Sequence, residues 1–93
     1  MMPMPANTGA SERPRLRDLF LLQWEPVQDA YVLLYPEGLV KLNPSAGEIL
    51  SRCDGTRDLD DIIGELEALF NASGLATDVY QFIDHARQRG WLD

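Results

Sequence analysis

Few residues of this 93-residue chain could do chemistry, and their spacing does not assemble a reaction site. Nucleophilic catalysis needs a serine or cysteine within hydrogen-bond reach of a base that a third group orients. The chain has one histidine, His85, and one cysteine, Cys53. His85 falls between Asp84 and Ala86 on a helical stretch, which suits a surface or half-buried residue better than a base. Cys53 falls on an apolar stripe and reads as a small buried residue. A lone cysteine excludes an internal disulfide, and with one histidine it cannot complete a tetrahedral zinc site. Acidic pairs can do acid–base work. Here Asp58, Asp60, Asp61, Glu65 and Glu67 lie at a helix start and on its polar face, where they complement the dipole and stay solvated. Glycines at 38, 47, 55, 64, 74 and 90 stand singly, so no phosphate-cradling loop is present. The residues point away from an enzyme and supply no ligand set for a metal or cofactor.

Composition narrows the classes further. Residues Met1 to Ser11 carry Pro3, Pro5, Asn7, Thr8, Gly9 and Ser11 and read as an unpacked tail. The expected division is a tail over 1–13 and a single domain over 14–93, with 45% hydrophobic residues to build one core. No apolar run reaches the 18 or so residues that a membrane span needs. The N-terminus lacks the charged and apolar regions of a secretion signal, so the cytoplasm is the expected location. A net charge of −7 argues against nucleic acid, whose phosphates demand a positive footprint. Only Arg13, Arg15 and Arg17 cluster.

The elements that must position any site change character halfway. Residues 15–42 are rich in Leu, Val, Tyr, Phe and Trp and are broken by turn residues; residues 43–92 have helical spacing. Strands followed by helices indicate an α+β domain. The first strand is expected over Leu19–Glu25, with Phe20, Leu22 and Trp24 on one face. The second, Ala30–Tyr35, is apolar on both faces, as if covered by helices on one side and by a second chain on the other. Pro36-Glu37-Gly38 is a tight reversal. A third strand, Leu39–Leu42, must stop at Asn43-Pro44, leaving a three-stranded antiparallel meander with this strand at an edge. Asn43 is the expected cap of the first helix, with Pro44 in its first turn and Ala46, Ile49, Leu50 and Cys53 facing inward. Asp58, with Asp61 as its capping-box partner, starts a second helix that carries Leu59, Ile62, Ile63, Leu66, Leu69 and Phe70. Thr77 is expected to cap a third helix with the stripe Val79, Phe82, Ile83 and Ala86. Gly90 ends it, and Trp91-Leu92 fold back on the core.

The order of these features resembles the D-protein family of pyrroloquinoline quinone (PQQ) biosynthesis. It is carried by Trp24-Glu25-Pro26, Tyr31-Val32-Leu33-Leu34-Tyr35-Pro36-Glu37-Gly38, Leu42-Asn43-Pro44-Ser45-Ala46, Cys53-Asp54-Gly55 and Arg89-Gly90-Trp91-Leu92, across residues 14–92. The resemblance implies a winged-helix-like domain of three strands and three helices. It implies a recognition element for ribosomally made, modified peptides, which binds the PQQ precursor peptide and delivers it to a radical S-adenosylmethionine enzyme. That enzyme cross-links Glu and Tyr side chains, and the D protein carries no cofactor.

In the family the peptide lies between the third strand and the third helix. Carried over, the resemblance implies Leu39, Val40, Lys41 and Leu42 as the peptide-binding edge, and Val79, Phe82, Ile83, Ala86 and Arg87 as the helix side. Such strand addition joins backbone hydrogen bonds to pockets for alternate side chains. Val79 and Ile83 also read as plain core, and Leu42 could serve either purpose. Lys41 and Arg87 suit a groove rim that meets an acidic peptide. Two other readings stay open. A winged-helix DNA-binding protein would place the third helix in the major groove, although that helix carries Asp78 and Asp84 beside only Arg87 and Arg89. A homodimeric assembly factor would use a second chain to cover Tyr31, Leu33 and Tyr35.

Overall fold

The computed structural model describes residues 12–93. The expected tail falls mostly outside them. Glu12 is already tied to the domain, because its carbonyl accepts the Leu59 N–H at 3.1 Å. Three strands, β1 (Leu21–Glu25), β2 (Ala30–Tyr35) and β3 (Gly38–Lys41), precede three helices, α1 (Pro44–Ser51), α2 (Leu59–Phe70) and α3 (Ala76–Gln88). The strands form an antiparallel sheet in the order β1-β2-β3, so β2 is central and β3 is an edge. Winged-helix-like describes this architecture only loosely.

Register explains why β2 is apolar on both faces. Leu33 pairs with Leu22 and Val40, and these point to the helices; Leu34 pairs with Leu21 and Leu39 on the outer face. Leu33 is fully buried in the core with Ile49, Leu50, Ile62, Leu66, Val79, Ile83 and Leu92. Tyr31 packs on α1, where Gly47 clears the space: a Cβ there would lie 2.7 Å from the Tyr31 ring. Tyr31 and Leu33 are therefore covered by the protein's own helices, and Tyr35 lies against Phe20 at 5.7 Å between ring centres. Leu33 is fully buried, while Tyr31 and Tyr35 stay half-buried. On the outer face Leu21 and Leu39 are exposed on either side of the half-buried Leu34.

Two strand boundaries differ from expectation. Leu19 and Phe20 belong to a turn closed by the Phe20 N–H on the Arg17 carbonyl at 3.0 Å, so β1 begins at Leu21. β3 begins at Gly38 and stops at Lys41; Leu42 still donates to the Tyr31 carbonyl at 3.0 Å, but its side chain has entered the core.

Helix ends follow elementary capping. The Asn43 side chain accepts the Ala46 N–H at 2.8 Å with Pro44 in the first turn. Asp58 and Asp61 make a reciprocal capping box. The third start differs from expectation: Leu75 is the N-cap of α3 and Thr77 lies inside its first turn. The reason is tertiary. Glu67 reaches across from α2 and accepts the Leu75 N–H at 3.0 Å, satisfying an amide that no local side chain caps. At the other end Gly90 takes a positive φ of 79°, and the Trp91 N–H returns to the Ala86 carbonyl at 2.9 Å. That turn drives Trp91 and Leu92 into the core, where Leu92 bridges Leu16.

An ion-pair network locks α1 to α2. Arg52 reaches Glu48 at 2.8 Å and Glu65 at 2.9 Å, and Arg57 binds the other Glu65 oxygen at 2.9 Å. The Arg57 hydrogen bond, followed by that from Arg52, holds the exposed Glu65 carboxyl below its ordinary range. Partial burial alone would lower the Arg52 guanidinium, but its hydrogen bonds to Glu48 and Glu65 outweigh this and raise it. Among the described residues, no helix is long and apolar enough to cross a membrane.

Candidate functional site

The edge of β3 presents the unpaired backbone groups of very few residues. In an antiparallel ladder, hydrogen-bonded and non-hydrogen-bonded pairs alternate. Leu42 donates inward to Tyr31, and Leu33 pairs with Val40 two residues back, so Val40 also spends its backbone groups on β2. Leu39 and Lys41 are left with N–H and C=O groups aimed at the open side. Side chains alternate in the same rhythm. Val40 packs on the core, whereas Leu39 is 59% exposed and Lys41 is exposed on the outer face.

Beside this edge runs a groove of about 470 Å³. Lys41, Leu42, Asn43 and Ser45 form one wall, Phe70 and Leu75 the end near the α2–α3 turn, and Asp78, Val79, Phe82 and His85 the wall from α3. Ala46, Ile49, Leu66 and Trp91 also contribute to its lining. The half-buried Phe82 and the 43% exposed Phe70 offer the accessible apolar surface, while Leu42 and Val79 are almost fully buried. A second concavity of about 420 Å³ shares Lys41, Leu42 and Asn43 and opens toward Trp24 and Tyr31, whose rings meet edge-on at 5.1 Å. Lys41 stands where the two meet.

The residues carried over from the resemblance do not all reach one surface. Lys41, Leu42, Val79 and Phe82 line the groove. Leu39 and Val40 belong to the strand beside it. Ile83 and Ala86 are 2% and 0% exposed and pack in the core. Arg87 is turned away from the groove: it pairs with Glu12 and donates to the Asp93 carbonyl at 2.9 Å. Residues that pattern reading missed are Phe70, Leu75, Asp78 and His85. For Phe70 the signal was present, because an aromatic residue at the exposed end of an amphipathic helix is a solvated anchor looking for a contact. Leu75 and Asp78 carried no such signal, since their place depends on how α3 begins.

The groups that could do chemistry stand apart from one another among the described residues. Cys53 is buried, its thiol donates to the Ile49 carbonyl, and burial, with Asp54 beside it, pushes it up to about 12. That keeps the unreactive thiol form at neutral pH. The Nε2 of His85 accepts from Arg89 at 3.1 Å and its ring lies edge-on to Trp91 at 6.0 Å, with no serine or cysteine among its hydrogen-bond partners. Among the described residues no three His, Cys, Asp or Glu side chains gather as a metal site. What the site has is geometry: an open strand edge, an apolar trough, and a single cation on its lip.

Comparison with known proteins yields a consistent set. The family model described as coenzyme PQQ synthesis protein D (PqqD) matches residues 30–92. A PqqA binding protein of Azotobacter vinelandii is 45% identical over 89 residues, covering 95% of this chain and 97% of its own. A PqqA binding protein of Pseudomonas aeruginosa is 47% identical over 81 residues, covering 86% and 88%. Among solved structures, a solution NMR structure of the PqqD truncation of Methylobacterium extorquens PqqCD superposes with a TM-score of 0.72 at 24% identity. It covers 94% of this chain and 98% of that one, and is described as a stand-alone recognition element for ribosomally synthesised, post-translationally modified peptides. At that identity the likeness establishes the fold.

Proposed function

This chain belongs to the PqqD family, and on that premise we propose that it is a non-catalytic peptide-binding chaperone of PQQ biosynthesis. It takes the ribosomal precursor peptide as a fourth strand on β3 and presents it to the pathway's radical S-adenosylmethionine enzyme in the cytoplasm, holding no cofactor of its own. The observation that carries this reading is the pairing of a free β3 edge with the groove in front of α3. Two edge residues supply at most four backbone hydrogen bonds, each worth about 0.5–1.5 kcal/mol net. Such an edge is too weak alone. The trough makes up the difference by burying apolar side chains from alternate peptide positions, at about 25 cal/mol per Å² removed from water.

DNA binding is the poorer reading. Phosphate contacts need free cations along the recognition helix. On α3 Arg87 is committed to Glu12, Arg89 at its end donates to His85, and Asp78 and Asp84 share the surface.

The test is calorimetric titration of the full chain with the synthetic precursor peptide, repeated with Phe82→Arg. The reading expects saturable one-to-one binding to the parent and a loss of at least tenfold in the variant, measured well below the variant's own melting temperature because Phe82 also packs on the core. Equal binding by parent and variant, or none by the parent, would contradict it.

A further inference from the structure

An added strand must follow the alternation of the strand it joins, and on β3 this alternation sorts chemistry to two sides. A peptide residue opposite Val40 or Leu42 points toward the helices, into the trough of Phe82, Val79, Leu75 and Phe70. The residue between those two lies opposite Lys41 and points to the outer face. The inward positions meet apolar surface and the Asp78 carboxylate, so they exclude an acidic side chain. The outward position meets an ammonium.

That ammonium is unusual in this molecule. Lys41 is the only lysine in a chain of net charge −7. Among the described residues, Arg15, Arg52, Arg57 and Arg87 each pair with a carboxylate, while Lys41 pairs with none. Arg13, Arg17 and Arg89 are also outside any ion pair, but none of them lines the groove; Arg89 donates to His85 and lies 5.9 Å from the centre of the Trp91 ring. A lysine whose charge has no partner, on the outer face of an open edge strand and between two inward residues, Val40 and Leu42, has a place for an anion that arrives with the next strand.

We propose that Lys41 is a specificity residue: it selects peptides whose paired segment reads apolar–acidic–apolar, with the acidic side chain outward opposite Lys41 and the two apolar ones inside the groove. The inference rests on the peptide-binding reading and adds to it a rule for which segment of the peptide binds and in which register. It also explains how a strongly acidic domain tolerates an acid in its ligand, since Lys41 is the one lysine or arginine on the groove's lining and offsets the general repulsion there.

The probe is the pathway's synthetic precursor peptide, with its acidic residues replaced one at a time by Gln and by Lys. Each is titrated against the full chain and against Lys41→Glu, at low salt and at 1 M salt. An exposed ion pair changes affinity by up to about fivefold. The expected result is one acidic position, flanked by apolar residues, where Gln weakens binding by about two- to fivefold and Lys by more. In Lys41→Glu the order inverts, so that the Lys peptide binds best, and 1 M salt flattens both preferences. Should Lys41→Glu fail to fold, Lys41→Gln replaces it and is expected to abolish the preference without inverting it. If every replacement has the same effect on parent and variant, the selectivity rule is overturned while peptide binding stands. If the unmodified peptide does not bind the parent at all, the underlying reading fails and the rule falls with it.

Discussion

Cys53 and Gly47 show how single residues serve the site without touching a ligand. Cys53 fills the end of α1 as a small apolar residue, and with its thiol held near 12 it should resist alkylation at pH 8. We expect a native half-life for iodoacetamide labelling far longer than that of the urea-unfolded chain; equal rates would refute the burial. Gly47 lets α1 settle on Tyr31, and a methyl group would strike the ring close to its Cβ. Gly47→Ala gains up to about 1 kcal/mol of helix propensity but should lose about 1–3 kcal/mol to overpacking, seen as a lower urea midpoint. The inward stripe made Cys53 readable from sequence. The Gly47 contact was not readable, because its partner is sixteen residues away on another element.

At the scale of elements, local rules were legible wherever the stabilising partner was also local. Asn43-Pro44 and the Asp58/Asp61 pair announce their helices, and both caps form as spacing requires. Asn43→Ala should therefore cost about 1 kcal/mol, measured by urea denaturation, and should loosen the wall of the groove that Asn43 and Ser45 form. The start of α3 was illegible because its N-cap, Leu75, has no capping side chain, and its amide is held by Glu67, eight residues upstream on a different helix. β3 was placed by its turn and its proline stop. Its inward and outward residues, however, follow from register with β2, which a single strand cannot reveal.

For the molecule as a whole, the order of strands and helices was legible, and the groove only in outline. Its walls come from the end of β3, the start of α1, the end of α2 and the face of α3. No stretch of sequence contains that set. Of the five α3 residues expected at the site, Ile83 and Ala86 form the core and Arg87 turns away, since a helix stripe read alone cannot divide its apolar width between interior and groove. The acid network linking α1 and α2 gives a global prediction. The Glu65 value is lowered in the folded state, so its ion pairs stabilise the protein above the ordinary glutamate value of 4.5, and that contribution fades as the pH falls below it. Glu65→Gln should flatten the acid limb of a stability–pH profile; an unchanged limb would mean that the pairs contribute nothing. The central claim, that a precursor peptide adds to β3 in front of α3, is tested most directly by an amide-shift titration of the full chain with that peptide. The account predicts that the largest shifts fall on Leu39 and Lys41 and on the groove side of α3 at Phe82 and His85. Shifts gathered on β1 or the polar face of α2, with β3 silent, would contradict it.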